Sequence, residues 1–250
     1  MNDRETFLSE FHAARPGITS RVFGRGGTYA RLAERVPAGR VLELACGDGP
    51  LLQQLGPRAV GLDISLVDLQ LTNGSVVQAR AQALPFAKGS FDSATCHLAF
   101  MLFDEIETVV AELARVLRPG APFIALVGGG PTAIGGSSRE ARDVYHAYSD
   151  ALSHAHAADP QLPRVALGDR RASSEAGWRE LFREWSGVDT ISFERWPIDF
   201  SGSFDEVWPL LAGTYNHPAD DAAIRDAVRA EFPGERVPCT FVTFLATVRR

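Results

Sequence analysis

Between residues 41 and 128, short apolar runs of strand length alternate with helical segments, and this alternation constrains the fold more than any other feature. The runs are almost continuously apolar, as expected for strands buried on both faces of a parallel sheet. Parallel neighbours need crossover connections, which the intervening helical segments supply. The pattern therefore predicts a doubly wound α/β fold. The predicted strands are VLELA (41–45), AVGLDIS (59–65), 75–79, FDSATCHLAF (91–100) and PFIALVG (122–128).

The flanking regions are mainly helical in pattern, and two further strand-like runs bring the predicted sheet to seven strands. Thr28 is a predicted N-cap for a helix over 29–36, and Ser137 or Ser138 is a predicted cap for a long helix over 137–157. The remaining predicted helices are 3–14, 51–55, 65–71, 109–117, 173–185, 204–215 and 220–232, and the added strands are 188–198 and 239–248.

Charge and cysteine usage exclude several classes of protein. The net charge of −6 argues against a nucleic acid partner. The three cysteines have no zinc-site or redox spacing, so we expect a reduced, cytoplasmic setting and no metal. No apolar leader is visible at the N-terminus and no apolar run is long enough to span a bilayer, so we expect no membrane partner.

The stretch ELACGDGP, residues 43–50, places a glycine-rich turn directly after the first predicted strand. Such a turn lets a ligand approach the backbone closely, and both dinucleotides and S-adenosylmethionine are bound in this way. Leu52 stands where the dinucleotide fingerprint would have its third glycine, which counts against a dinucleotide. Cys46, inside the turn, is interpreted as a small structural residue and not as a nucleophile.

Four segments, in order and with normal spacing, resemble the motifs of class I S-adenosylmethionine-dependent methyltransferases, small-molecule branch. They are ELACGDG, AVGLDIS, ARAQALPFAKGSFDSATCHLAF and ELARVLRPGAPFIAL. The resemblance implies a mostly parallel seven-stranded sheet with helices on both faces, an antiparallel last strand and a helical cap over the active site. It implies one methyltransferase domain over 1–250, with an N-terminal helical cap (1–38), a cofactor-binding core (39–130) and helical substrate-side additions (131–186 and 200–236).

The resemblance also implies roles in binding S-adenosylmethionine. Asp63 would accept the ribose hydroxyls, and Glu43 would either orient the loop or meet the methionine amine. Tyr29 and His97 would lie near the methionine end. Arg80 departs from the family pattern because an aspartate usually stands there to receive the adenine amine. The full set of expected cofactor-binding residues is Tyr29, Glu43, Ala45, Gly47, Gly49, Asp63, Ile64, Ala81, Gln82 and His97.

The implied activity is methyl transfer to a nitrogen or oxygen of a small aromatic or heteroaromatic metabolite, in toxin or antibiotic biosynthesis, with S-adenosylhomocysteine as product. Methyl transfer from a sulfonium needs a general base only when the acceptor atom loses a proton, so no catalytic residue can be assigned from the sequence. His97, Tyr148 and His217 are candidates. We expect a small-molecule partner and a monomer or homodimer. Two alternatives stay open: an NAD(P)-dependent oxidoreductase, and a protein that binds S-adenosylmethionine without methylating.

Overall fold

A seven-stranded sheet forms the centre of the computed structural model, which describes residues 3–128, 143–162 and 168–250. Strands occur in the spatial order β3-β2-β1-β4-β5-β7-β6. The first five pair in parallel, and the seventh runs antiparallel to the fifth. The strands are β1 (Val41–Leu44), β2 (Ala59–Asp63), β3 (Ser75–Gln78), β4 (Ser93–His97), β5 (Pro122–Gly128), β6 (Ser192–Asp199) and β7 (Thr240–Arg249).

Helices cover both faces of the sheet, and the strand side chains alternate between the two cores as the pleat requires. On β5, Phe123, Ala125 and Val127 pack into one core, whereas Ile124 and Leu126 pack into the other. The helices are α1 (Asp3–Ala14), α2 (Ile18–Gly24), α3 (Thr28–Arg35), α4 (Pro50–Leu55), α5 (Leu66–Leu69), α6 (Ile106–Val116), α7 (Val144–Ala158), α8 (Glu175–Leu181), α9 (Phe204–Ala212) and α10 (Ala222–Glu231).

The first core lies under α6 and α8 and is rich in aromatic side chains. Trp178 of α8 is fully buried and stacks on Phe123 with ring centroids 5.6 Å apart. The second core lies under α3 and α4, where Leu32 and Leu51 are fully buried. Each such side chain contributes about 1.5–3 kcal/mol through burial. These cores fix the strand ends to which the candidate site is attached.

The described residues fall into two compact units. The core unit contains residues 1–129, 167–196 and 243–250, and the inserted unit contains residues 130–166 and 197–242. Within the inserted unit, α7 is capped by Asp143, whose carboxylate accepts the amides of Tyr145 and His146. The predicted sheet, its antiparallel last strand and its helical layers are confirmed. The single domain, its boundaries and the helical cap over the active site stay predictions.

Two predicted helix starts need comment. Gly27 is the N-cap of α3, so the prediction that Thr28 caps this helix is wrong. The hydroxyl of Thr28 instead contacts the carbonyl of Phe23 and the ring of His97. The predicted caps Ser137 and Ser138 lie outside the described residues, and the described helix begins at Val144. Among the residues described, no helix is long and apolar enough to cross a membrane.

Candidate functional site

The turn after β1 has a backbone that leaves room for a ligand. Ala45, Gly47 and Gly49 have positive φ angles of 52°, 55° and 81°. A Cβ on Gly49 would lie 2.5 Å from Cγ2 of Thr72, so a side chain there would collide, whereas no atom lies within 4 Å of the Cβ position of Gly47. The backbone at Gly47 is therefore bare, as close approach of a ligand requires.

Asp63 ends β2 and lies beside this turn because β1 and β2 are neighbours in register, Leu44 opposite Leu62. Its two carboxylate oxygens accept the amides of Gly47 and Ser65, both at 2.8 Å. Burial raises the pKa of Asp63, and these two amides offset part of that rise. Since each carboxylate oxygen can accept more than one hydrogen bond, the carboxylate keeps acceptor capacity for a ligand.

Glu43 lies inside β1 and is 1% exposed. Its Oε2 has no hydrogen-bond partner among the described residues. Burial raises its pKa well above the usual range, and the negative charges of Asp63 and Asp48 raise it further. An unpartnered buried carboxylate is costly unless a cation or donor satisfies it, so this oxygen indicates a site for a positively charged ligand group.

The surroundings of the turn are negatively charged. Burial raises the pKa of the Tyr29 hydroxyl, and the charges of Asp48 and Glu43 add to the rise. Pro50 opens α4 and supplies no N–H group. An anionic pyrophosphate would therefore be repelled by the acidic side chains and would lack the hydrogen bond that a backbone N–H at position 50 could donate. A cationic ligand would be attracted. The electrostatics therefore favour S-adenosylmethionine, which carries a positively charged sulfonium, over a dinucleotide. The described residues around the turn fit S-adenosylmethionine.

Cys46 has a structural position. Its Sγ lies 2.6 Å from where a Cβ on Gly61 would be, so the thiol packs over the bare backbone of the neighbouring strand. Cys46 is 4% exposed, and burial raises the pKa of its thiol. A reactive cysteine needs the opposite shift, toward the thiolate.

We expect Cys46→Ala to bind S-adenosylhomocysteine within about threefold of the unaltered protein, because only packing is lost. We also expect Cys46 to resist alkylation in the folded state, because its thiol is buried and protonated. Isothermal titration calorimetry measures the first result, and peptide mass spectrometry after iodoacetamide treatment measures the second. Rapid alkylation that abolishes binding would contradict the structural interpretation.

His97 ends β4 and is held by residues of α3. Its Nε2 lies 2.8 Å from the Thr28 hydroxyl, and its ring packs against Tyr29 with centroids 4.2 Å apart. Burial lowers the pKa of His97 to about 3, so the imidazole is neutral. A neutral ring does not repel a cation. The sequence singled out Tyr29 and His97, and the structure brings them together.

The segment after β3 carries the predicted adenine contacts. Ala81 is buried and Ile64 is half-buried. Gln82 donates its Nε2–H to the carbonyl of Asp104 at 2.8 Å, which orients the amide and leaves its oxygen as an acceptor. Arg80 forms an ion pair with Glu5 of α1, Nη2 to Oε1 at 2.7 Å. Arg80 is thus engaged by the N-terminal helix.

Within the inserted unit, two of the catalytic candidates are hydrogen-bonded to each other. The hydroxyl of Tyr148 lies 2.9 Å from Nδ1 of His217, and Nε2 of His217 lies 3.0 Å from Oδ2 of Asp221. The Tyr148 hydroxyl also lies 2.8 Å from the hydroxyl of Thr214, which donates to the carbonyl of Leu211 at 2.7 Å. Burial raises the pKa of Tyr148 to about 12.

Sequence reasoning missed two contributors to the site in the core unit and one hydrogen-bonding residue of the inserted unit. Thr28 was interpreted as a cap, Asp48 was taken as part of the turn, and Asp221 was not singled out at all. Thr28 and Asp48 act through partners far away in sequence, and such pairings leave no local pattern. In the described ranges, no group of three or more His, Cys, Asp or Glu side chains is arranged to hold a metal ion.

Comparison with known proteins places these features in context. A family model described as "Methyltransferase domain" matches residues 42–125. The demethylmenaquinone methyltransferase of Renibacterium salmoninarum is 32% identical over 181 residues, which are 67% of this chain and 68% of that protein. The demethylmenaquinone methyltransferase of Lactococcus lactis is 32% identical over 108 residues, 37% of this chain and 43% of that protein. The chain thus spans less than half the length of the first curated relatives it matches.

Among solved structures, the YcgJ protein from Bacillus subtilis superposes with a TM-score of 0.56 at 19% identity, over 90% of this chain and 97% of that one. At this level of identity the likeness concerns the fold alone. It supports the sheet order and helical layers described above.

Proposed function

The chain belongs to the class I S-adenosylmethionine-dependent methyltransferases, and from this membership we propose that it methylates a nitrogen or oxygen atom of a small aromatic or heteroaromatic metabolite. The observation that carries the proposal is the buried, unpartnered Oε2 of Glu43 beneath a bare glycine turn, beside Asp63. The positive charge of the cofactor's amine would favour the ionised form of Glu43, so that a carboxylate meets the amine in the complex. We propose toxin or antibiotic biosynthesis as the setting.

We propose specific roles for the residues around the turn. Asp63 would use its remaining acceptor capacity for the ribose hydroxyls, and Glu43 would accept the methionine amine. Gly47 and Gly49, with Ala45, would let the cofactor lie along the backbone. These groups bind and orient; they do not take part in bond making.

The adenine would lie between the segments after β2 and β3. Ile64 would pack on the base, and the backbone of Ala81 would meet its edge. The oxygen of Gln82 would accept the exocyclic amine, because its nitrogen is already committed to Asp104. Gln82 would thus take the role of the aspartate that the family pattern has at position 80, where this chain has arginine.

Bound S-adenosylmethionine supplies an activated methyl group on a sulfonium, so the protein chiefly aligns the acceptor and keeps water away. Tyr29 and neutral His97 would line the methyl end without opposing the positive charge. Where the acceptor atom carries a proton, a general base is needed, and Tyr148 and His217 stay predicted candidates for it.

Aromatic side chains pack on one another within the inserted unit. Tyr148 lies edge-on to Trp208 with centroids 6.1 Å apart, and Trp208 stacks on Phe204 at 5.6 Å. All three rings are buried, so they form part of the core of that unit. The state of the protein as a monomer or homodimer stays a prediction.

The proposal is tested with purified protein, S-adenosylmethionine carrying a deuterated methyl group, and a small-molecule extract of cells. We expect mass spectrometry to reveal a small aromatic compound that gains the labelled methyl while S-adenosylhomocysteine accumulates. The same reaction with Asp63→Ala, at a limiting cofactor concentration, should give at most about a tenth of either product. Labelling of only protein or nucleic acid would contradict the proposed substrate class.

The two alternatives are separated by binding measurements. At a ligand concentration of 100 Kd, a bound ligand stabilises the folded state by about 2.7 kcal/mol, which thermal unfolding detects. We expect stabilisation by S-adenosylhomocysteine and none by NADH or NADPH. Stabilisation by the cofactor without transfer to any compound in the extract would favour the non-methylating protein.

A further inference from the structure

We infer that residues 3–24, called the N-terminal strap here, close over the cofactor crevice and must detach for the cofactor to enter and its product to leave. The inference rests on the proposed function, since it concerns access to the same site. It extends that function from binding to control of ligand exchange.

The strap is tied to the segments that follow each of the first four strands, all at the carboxyl edge of the sheet. This edge is where ligands bind in open α/β sheets. The ties are Ser20 to Asp48 after β1, His12 to Asp68 after β2, Glu5 to Arg80 after β3, and Arg4 to Asp104 after β4. One segment of 22 residues thus crosses the whole predicted crevice.

Two of these ties involve buried carboxyl groups, unlike ordinary surface ion pairs. Glu5 and Asp68 are buried, at 7% and 2% exposure. Asp68 accepts from His12 at 3.1 Å and from the amide of Gly17 at 3.2 Å. Although burial acts in the opposite direction, these donors hold the pKa of Asp68 below its usual range. Glu5 and His12 are seven residues apart, so they share one face of α1, which points toward the sheet edge.

The positions of the partners connect the strap to both ends of the proposed site. Asp48 lies between Gly47 and Gly49, in the turn assigned to the methionine portion, and its Oδ2 accepts the Ser20 hydroxyl at 2.5 Å. Arg80 directly precedes Ala81, in the segment assigned to adenine. A ligand held by both segments lies beneath the strap, so exchange requires that these ties break.

The Glu5–Arg80 pair gives the sharpest test because its charges can be exchanged. We expect Glu5→Arg and Arg80→Glu, each alone, to increase both the association and the dissociation rate of S-adenosylhomocysteine by about tenfold, because each variant shifts the strap toward its open state. The double variant Glu5→Arg with Arg80→Glu should return both rates to within about threefold of the original. Surface plasmon resonance on the intact chain measures the two rates.

Arg35 and Glu194 form a matched control pair. They are joined at 3.0 Å and half-exposed, and they lie on α3 and β6, outside the strap. Reversing the charge of either should leave both rates unchanged. Circular dichroism confirms that every variant is folded before its rates are compared.

Each outcome decides the matter. If dissociation became faster while the association rate stayed unchanged, the strap would line the site without controlling entry of the ligand. That result would overturn the inference. Failure of the double variant to restore either rate would overturn the inference. Absence of any S-adenosylhomocysteine binding by the unaltered protein would overturn the proposed function itself, and the gate with it.

Discussion

Asp63→Ala will weaken the binding of S-adenosylhomocysteine by at least about tenfold, equivalent to 1.4 kcal/mol or more. Two losses act together. The ribose hydroxyls lose their carboxylate, and the amides of Gly47 and Ser65 lose the acceptor that shapes the turn. Each orphaned amide costs about 1–3 kcal/mol, so we also expect a lower free energy of unfolding. Isothermal titration calorimetry and urea unfolding measure the two effects.

Loss of ribose recognition can be separated from distortion of the turn. The unaltered protein should prefer S-adenosylhomocysteine over its 2′,3′-dideoxy analogue, and Asp63→Asn should lose most of that preference. Asp92 offers a control, since it also accepts a backbone amide, that of Arg40 at 2.7 Å, but at the opposite edge of the sheet. Asp92→Asn should keep the original affinity. An Asp63→Ala protein with unchanged affinity would remove the central assignment.

Glu43→Gln will raise the free energy of unfolding at neutral pH and lower the affinity for S-adenosylhomocysteine. Because burial and neighbouring acids raise the folded-state pKa of Glu43, the folded protein holds a proton there that the unfolded chain releases above its ordinary pKa of about 4.3. The free energy of unfolding therefore falls as the pH rises from the ordinary pKa of glutamate toward the raised pKa of Glu43 in the folded protein. Glutamine carries no such proton, so its stability advantage should grow as the pH rises above the ordinary pKa of glutamate and vanish below it.

Thr95 lies opposite Glu43 on β4 and is the matched control. It is fully buried and its hydroxyl has no partner among the described residues, but it does not titrate. Thr95→Val should therefore change the free energy of unfolding equally at every pH. Affinity for S-adenosylhomocysteine should fall at least about tenfold in Glu43→Gln and stay constant in Thr95→Val. An unchanged affinity in Glu43→Gln would mean that Glu43 only orients the turn.

The sheet could be predicted because its strands are buried on both faces and therefore read as continuous apolar runs. The turn after β1 could be predicted because positive φ angles at Gly47 and Gly49 demand glycine. Asp63 follows from strand order, since the ends of neighbouring parallel strands lie side by side. These features depend on local chemistry or on topology, both of which the sequence carries.

Other parts of the site could not be predicted because they depend on partners distant in sequence. Glu5 and Arg80 are 75 residues apart, and Thr28 and His97 are 69 apart. A polar residue at the start of a helix resembles a cap whether it bonds its own helix or a distant ring, which is why Thr28 was misinterpreted. Tyr148 and His217 were noted separately, and only the folded inserted unit shows that they form one chain with Asp221.

The pairing of β7 with β5 has a consequence for synthesis on the ribosome. Strand β5 is buried along six of its seven residues, yet the partner for one of its sides comes from residues 240–249. Until that late segment emerges, a long apolar strand presents unpaired amides and carbonyls, the arrangement that recruits foreign chains into aggregates. A nascent chain of this kind depends on its own completion, or on chaperones, to shield that side.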